Sequence, residues 1–232
     1  MDYEARLERF YSQVLKPGDV CVDVGAHRGR HTIPLAKAVS ASGRILAFEP
    51  IDFVAAELKQ AVDRDGLSQV EVINHALGRQ AGSFSFVLAL DALEYSGLRE
   101  RVYDSPTRLR NIEVAVQRLD DVVAQRGLPA VHYMKIDTEG GEWDVIQGAA
   151  DTIRRWNPVV TFEFGANSYR KYDVDPGEVH RFFAEHGYAM FDILGKRLDR
   201  PEFEDSSERQ QVWDYAAIAE SDAAAYARWL AD

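Results

Sequence analysis

The sequence predicts an α/β fold: a mostly parallel sheet with helices on both faces and one reversed strand near its C-terminal end. Three observations carry this. Apolar runs of about five residues alternate with helix-length amphipathic patterns. The first run passes through a glycine-bearing turn straight into a helix. Two late runs follow one another without a helical apolar pattern between them.

In chain order, Tyr3, Leu7, Phe10, Tyr11, Val14 and Leu15 have helical spacing, so an N-terminal helix is expected within residues 1–16, closed by Lys16-Pro17-Gly18-Asp19. The strand runs are Val20–Val24, Ile45–Phe48, Val70–Ile73, Val131–Ile136 and Val159–Phe164. Helical patterns cover Thr32–Val39, Val54–Val62, Leu119–Gln125 and Trp143–Ile153. Asp175-Pro176-Gly177-Glu178 starts a further helix, with an acidic cap, proline first and Val179, Phe182 and Phe183 inward. Gly82–Leu90 and Ile112–Leu119 read as strands of a β-type insertion near 82–118. The polar segment between them, 89–111, is expected to form a substrate lid. Tyr188–Leu194 and Val212–Ala219 are the late strands, expected antiparallel, with Asp199–Gln210 an acidic loop.

Length and composition limit the choice of function. A chain of 232 residues without linker or repeat is read as one domain, residues 1–232. One cysteine, Cys21, excludes a disulfide framework and a Cys-rich zinc site. No apolar run reaches the ~18 residues of a membrane span. The charged N-terminus MDYEARLERF does not read as a signal peptide, so a cytoplasmic location is expected. The net charge of −11 works against nucleic acid; the Arg99–Arg110 stretch interleaves Glu100 and Asp104, so no basic stripe is segregated.

The glycine turn is the most informative segment. Val20 to Val24 contains Asp23 and leads to Gly25, Ala26, His27 and Gly29. Ligands in α/β sheets bind outside the C-terminal ends of strands. The spacing G-x-x-x-G is not the dinucleotide fingerprint, no Gly-Lys-Ser/Thr follows, and a carboxylate at Asp23 would repel a pyrophosphate. It suits an ammonium. Glu49, after the second strand, can accept both hydroxyls of a ribose. Together the two acids favour a cationic, phosphate-free adenosine ligand: S-adenosylmethionine. Turn or capping chemistry is the alternative for each acid alone. His75 and Ala76, after the third strand, are candidate base contacts, or a plain strand end.

These segments resemble the FkbM-type family of class I, Rossmann-like S-adenosylmethionine-dependent methyltransferases. The likeness rests on Lys16-Pro17-Gly18-Asp19, Val22 to Gly29, Phe48-Glu49-Pro50, Leu119-Asp120-Asp121, Lys135-Ile136-Asp137-Thr138-Glu139-Gly140-Gly141-Glu142 with Val145 to Ala149, and Pro158 to Glu163. The resemblance implies a seven-stranded sheet with a reversed last strand. It also implies O-methylation of a hydroxyl on a sugar, polyketide or other natural product. By carry-over, Asp23, Gly25 and Gly29 line the methionine part and Glu49 holds the ribose, with Ala26, His27 and Pro50 beside them. Arg28, Arg30 and His31 depart from the family pattern. They leave the methionine carboxylate, an acidic substrate or plain surface charge as their partners.

The fourth strand ends in Asp137, Thr138 and Glu139, where the methyl group would be presented. An alcohol nucleophile benefits from a base, and Asp137 and Glu139 are the candidates, with Lys135 beside Asp137 as its neutralising partner. Helix capping is the alternative for both acids. A metal shared by Asp137 and Glu163 is left out, because two acids do not make a site. No D/N-P-P-Y/F motif is present to grip an amine. The arginines of the insertion, with Tyr95, Leu98 and Tyr103, and the wall of Tyr169, Arg170 and Tyr172, leave open an acidic or phosphorylated acceptor. Two other readings stand beside the small-molecule methyltransferase. One is an NAD(P)-dependent oxidoreductase, the other a non-catalytic S-adenosylmethionine-binding protein on the same fold.

Overall fold

The computed structural model describes residues 2–103 and 105–231; Asp104, inside the expected lid, lies outside the described residues. Asp2 caps helix α1 (Tyr3–Val14) by accepting from the Ala5 amide, and Leu7, Phe10, Tyr11 and Val14 turn to the core. Strands β1 (Val20–Val24), β2 (Arg44–Phe48) and β3 (Val70–Ile73) alternate with α2 (Thr32–Val39) and α3 (Asp52–Arg64). Every residue of β1 is buried, as a central parallel strand covered on both faces requires, and this is why it reads as a continuous apolar run broken only by Asp23.

β4 (Ala76–Leu77), β5 (Gly82–Ala89) and β6 (Leu109–Gln117) form a separate three-stranded sheet, the expected insertion, with β5 and β6 antiparallel. Leu119, shared by an expected strand and the expected helix Leu119–Gln125, opens α4 (Leu119–Arg126). After β7 (Tyr133–Ile136), the single helical pattern at Trp143–Ile153 resolves into α5 (Glu142–Gly148) and α6 (Ala150–Trp156). The break falls where Gly148 sits so close to the Gly78 carbonyl that a Cβ would collide with it.

β8 (Val159–Glu163) precedes the short α7 (Ala166–Tyr169), then α8 (Pro176–Glu185), β9 (Tyr188–Asp192), β10 (Arg197–Leu198), α9 (Arg200–Glu208), β11 (Asp214–Ala219) and α10 (Glu220–Ala231). Helix α8 starts as expected, Asp175 accepting from the Gly177 amide with Pro176 in the first turn. Helix α9 corrects the expected acidic loop. Asp199 and Glu202 make a reciprocal capping box, but Phe203 is the helix's one buried hydrophobe, so no apolar period marks it in the sequence.

The main sheet runs β10-β9-β11-β8-β7-β1-β2-β3. β11 is antiparallel to both neighbours, the reversed strand of the expected architecture. The seven implied strands are all present, and the two-residue β10 adds an eighth at one edge. The core beneath the β8–β9 side is aromatic: Phe162, Phe164, Phe183, Phe203 and Tyr215 touch with ring centroids 4.9 to 6.3 Å apart. A second cluster, including Ile51, Val54, Phe86 and Val114, fastens the small sheet to the start of α3. Among the described residues no helix is long and apolar enough to cross a membrane.

Candidate active site

The C-terminal ends of β1, β2, β3, β7 and β8 open on one cavity of about 630 Å³. Asp23, Gly25, Ala26, His27, Glu49, Pro50, His75 and Ala76 line it, and so do Lys135, Asp137 and Glu139. Gly29 does not. Its φ is +88°, and a Cβ there would stand 2.7 Å from Leu58 Cδ1, so this glycine serves the packing of the turn on α3.

At the β1–β2 end the main chain fixes the geometry. The amides of Gly25 and Ala26 both donate to the Phe48 carbonyl. Gly25 has φ +78°, and a Cβ on it would fall on the Asp137 carbonyl oxygen, so only glycine fits. Asp23 is fully buried; its Oδ2 accepts from Thr32 Oγ1 at 2.6 Å, and its Oδ1 has no partner among the described residues. Burial pushes its carboxyl up, while Lys135, its neighbour in the β1–β7 register, pulls it down. Glu49 is equally enclosed. Its two oxygens accept from the His27 amide at 2.9 Å and the Ile51 amide at 2.8 Å, and burial still raises its pKa to about 7. Neither acid is a helix cap. His27 adopts a left-handed backbone at φ 46°, and burial and Arg28 lower its pKa. His75 presents a buried Nδ1 without a partner among the described residues.

At the β7–β8 end side chains do the fixing. Lys135, buried, donates from Nζ to Asp137 Oδ2 at 2.9 Å. Burial opposes its charge, but Asp137 and Asp23 more than offset this and hold it protonated. Asp137 is about one-third exposed to the cavity, and its Oδ1 has no hydrogen-bond partner among the described residues. Glu139 sits at φ 58° and pairs with Arg101, both nearly buried. Burial and then Asp137 push the Glu139 carboxyl well up, and burial and Asp137 do the same to Glu163. Oxygens of Asp137, Glu139 and Glu163 come within 4.8 Å of one another. Capping explains neither Asp137 nor Glu139, since Gly141 occupies the cap of α5. Glu142 shapes this loop. Its buried Oε1 accepts from the Thr138 amide, the Thr138 hydroxyl and the Gly140 amide at 2.8, 2.9 and 3.1 Å.

Residues of the 89–111 segment, the expected lid, line this end. Leu93, Tyr95, Leu98 and Tyr103 line the cavity, and Arg101 lies 4.6 Å from the centre of the Tyr95 ring. The lid docks through the Arg99 amide on the Tyr172 hydroxyl and the Val102 amide on the Asn167 carbonyl. Of the arginines offered for an acidic acceptor, Arg101 lines the cavity. Arg101 is committed to Glu139, Arg108 to Asp91, Arg99 to Asp173 and Arg170 to Glu208. Lining residues that the sequence does not single out include Glu4, Trp213, Asn167 and Ser96. Arg30 and His31 carried a signal, as unusual charge at a helix start. Trp213, on the turn into β11, carried none.

Residues 23–190 match the methyltransferase FkbM domain. A 31-O-demethyl-FK506 methyltransferase FkbM from Streptomyces tacrolimicus is 29% identical over 204 residues, covering 76% of this chain and 75% of that protein. The AMB antimetabolite synthetase AmbE of Pseudomonas aeruginosa is 25% identical over 183 residues, 64% of this chain but 8% of that much longer protein. Among solved structures, a methyltransferase FkbM from Methylobacillus flagellatus aligns over 94% of this chain and 55% of its own, with TM-score 0.55 and 15% identity. A putative rRNA-methylase from Clostridium thermocellum aligns over 94% and 97%, with TM-score 0.55 and 13% identity. The two structures share the fold; the match over residues 23–190 goes further, and this chain belongs to the methyltransferase FkbM domain family.

Proposed function

We propose that this protein is an S-adenosylmethionine-dependent O-methyltransferase acting on a hydroxyl of a small molecule. The observation that carries the reading is Asp23: a fully buried carboxylate with one oxygen unpartnered, at the wall of a cavity whose far end holds the half-open Asp137. An unpaired buried carboxylate oxygen is costly, and a ligand ammonium would satisfy it. Glu49 supplies the acceptor for a ribose diol, and Gly25 keeps the space that a Cβ would fill.

Bound there, the cofactor supplies a methyl group on a sulfonium that is already a good leaving group. The chain therefore has to align the acceptor, exclude water and take up one proton. Asp137 accepts that proton at its free Oδ1, while Lys135 holds Oδ2 and fixes the side chain. Glu139, tied to Arg101, orients the lid against the acceptor and is the second candidate base. Oxygen as the atom methylated is supported by the name of the Streptomyces relative and by the absence of an amine-gripping motif after β7.

Calorimetry with S-adenosylmethionine, S-adenosylhomocysteine and NAD tests the reading. Both sulfur nucleosides should bind and NAD should not. Asp23→Ala and Glu49→Ala should each lose most of that affinity while melting as folded proteins. Unchanged affinity in both variants, or NAD as the preferred ligand, would overturn the assignment.

A further inference from the structure

Resting on the cofactor reading above, we propose that Arg30 binds the carboxylate at the amino-acid end of the nucleoside, and that helix α1 orients it for this contact. The strand order sets the direction. Glu49 follows β2 and His75 follows β3, so ribose and base lie on that side of β1. The amino-acid end then points the other way, toward Asp23 and the start of α2. There the cavity wall carries Arg30, His31 and, from α1, Glu4.

An α-amino acid is a zwitterion and needs both signs of charge. Asp23 Oδ1 offers the negative sign. For the positive sign, the basic side chains of this wall leave Arg30, since burial and then Arg28 lower the His27 pKa. Burial, with Lys135 and Arg30 adding to it, drives the His31 pKa down to about 2, so this ring stays neutral against the Tyr11 hydroxyl. Lys135 is held between Asp137 and Asp23. Arg101 stands on the lid side beside Glu139, away from Asp23, and Arg28 does not line the cavity.

Arg30 is already aimed. Its Nε lies 2.9 Å from Glu4 and its Nη1 donates to Glu8 at 2.5 Å, both on α1, while Nη2 has no acceptor among the described residues. A planar guanidinium held on two sides keeps the third ready for a carboxylate at little entropic cost. Glu4 and Glu8 stand off the face on which α1 buries Leu7, Phe10, Tyr11 and Val14, so packing alone gives them no task. In this reading they are positioning residues, and the N-terminal helix is part of the nucleoside site.

The test compares S-adenosylhomocysteine with its decarboxylated analogue, adenosyl-3-thiopropylamine, which keeps the amine and lacks only the carboxylate. By calorimetry the wild type should favour the former by about 10- to 100-fold. Arg30→Gln should bind the two alike, with affinity for the analogue unchanged from wild type. Arg30→Lys should restore part of the preference, and Glu8→Gln should lose part of it. An Arg30→Gln protein that weakens both nucleosides equally would show a packing role and overturn the proposal. A wild type indifferent to the carboxylate would overturn it too. If neither nucleoside binds the wild type, the cofactor reading falls, and this inference with it.

Discussion

The two ends of the cavity hold their acids in opposite ways. At the β1–β2 end, Glu49 is braced by two backbone amides and Asp23 by the first hydroxyl of α2. At the β7–β8 end, Asp137 and Glu139 are held by the long side chains of Lys135 and Arg101, the latter from a lid. Main-chain bracing cannot be exchanged without refolding the turn, whereas a side-chain pair can give way to a ligand. In the proposed reaction the first end therefore suits the cofactor and the second an acceptor that enters and leaves.

That contrast breaks most sharply at Asp137. Asp137→Asn should cut turnover by about 10²–10⁴-fold while leaving S-adenosylhomocysteine affinity intact, since the base acts only on the acceptor. Full turnover with labelled cofactor would remove Asp137 as the base. Next comes Gly25→Ala at the rigid end. Its new Cβ collides with the Asp137 carbonyl at positive φ, so nucleoside affinity should fall at least ~100-fold, with a loss of about 2–4 kcal/mol in chemical denaturation. Wild-type affinity there would show that the turn yields after all.

A third measurement sharpens the comparison through pH. Below about pH 7 Glu49 holds a proton in the unliganded protein, and a diol bonds best to the ionised form. Nucleoside affinity should therefore fall as pH drops below 7, by up to ~10-fold per unit, and Glu49→Gln should flatten that slope. The same raised pKa means that the unliganded fold loses stability as pH rises from the ordinary 4.5 through 7, about 3 kcal/mol in full from this group. The smallest effect belongs to the exchangeable end. Arg101→Ala should speed hydrogen exchange at the Arg99 and Val102 amides while lowering the melting temperature by only a few degrees, because Glu139 can take a proton when its partner is gone.

The same division decides what could be read from sequence. β1 and α2 match their expected bounds because a doubly covered strand and the turn after it are written in contiguous residues. Asp23, Glu49 and Asp137 follow from one rule, that acids at strand ends face the crevice. The lid was legible only as a polar interruption. Its chemistry depends on pairs such as Arg101 with Glu139 and Arg99 with Asp173, separated by 38 and 74 residues, and no local pattern marks them. Glu142 is a third kind of case: it was visible within a motif, but its bracing of Thr138 and Gly140 needs the folded loop to be seen. Helix α9 was missed because its capping box lies in a stretch with a single buried hydrophobe.

The two-residue β10 matters beyond the count of strands. A long open margin on a sheet exposes a row of amides and carbonyls that can template another chain. Here one margin ends in a stub too short to register with a neighbour, and the other is the four-residue β3, where Arg44 and Arg126 converge on Glu71. Polymerisation by strand addition is thereby discouraged at both sides of the sheet, by brevity on one and by charge on the other.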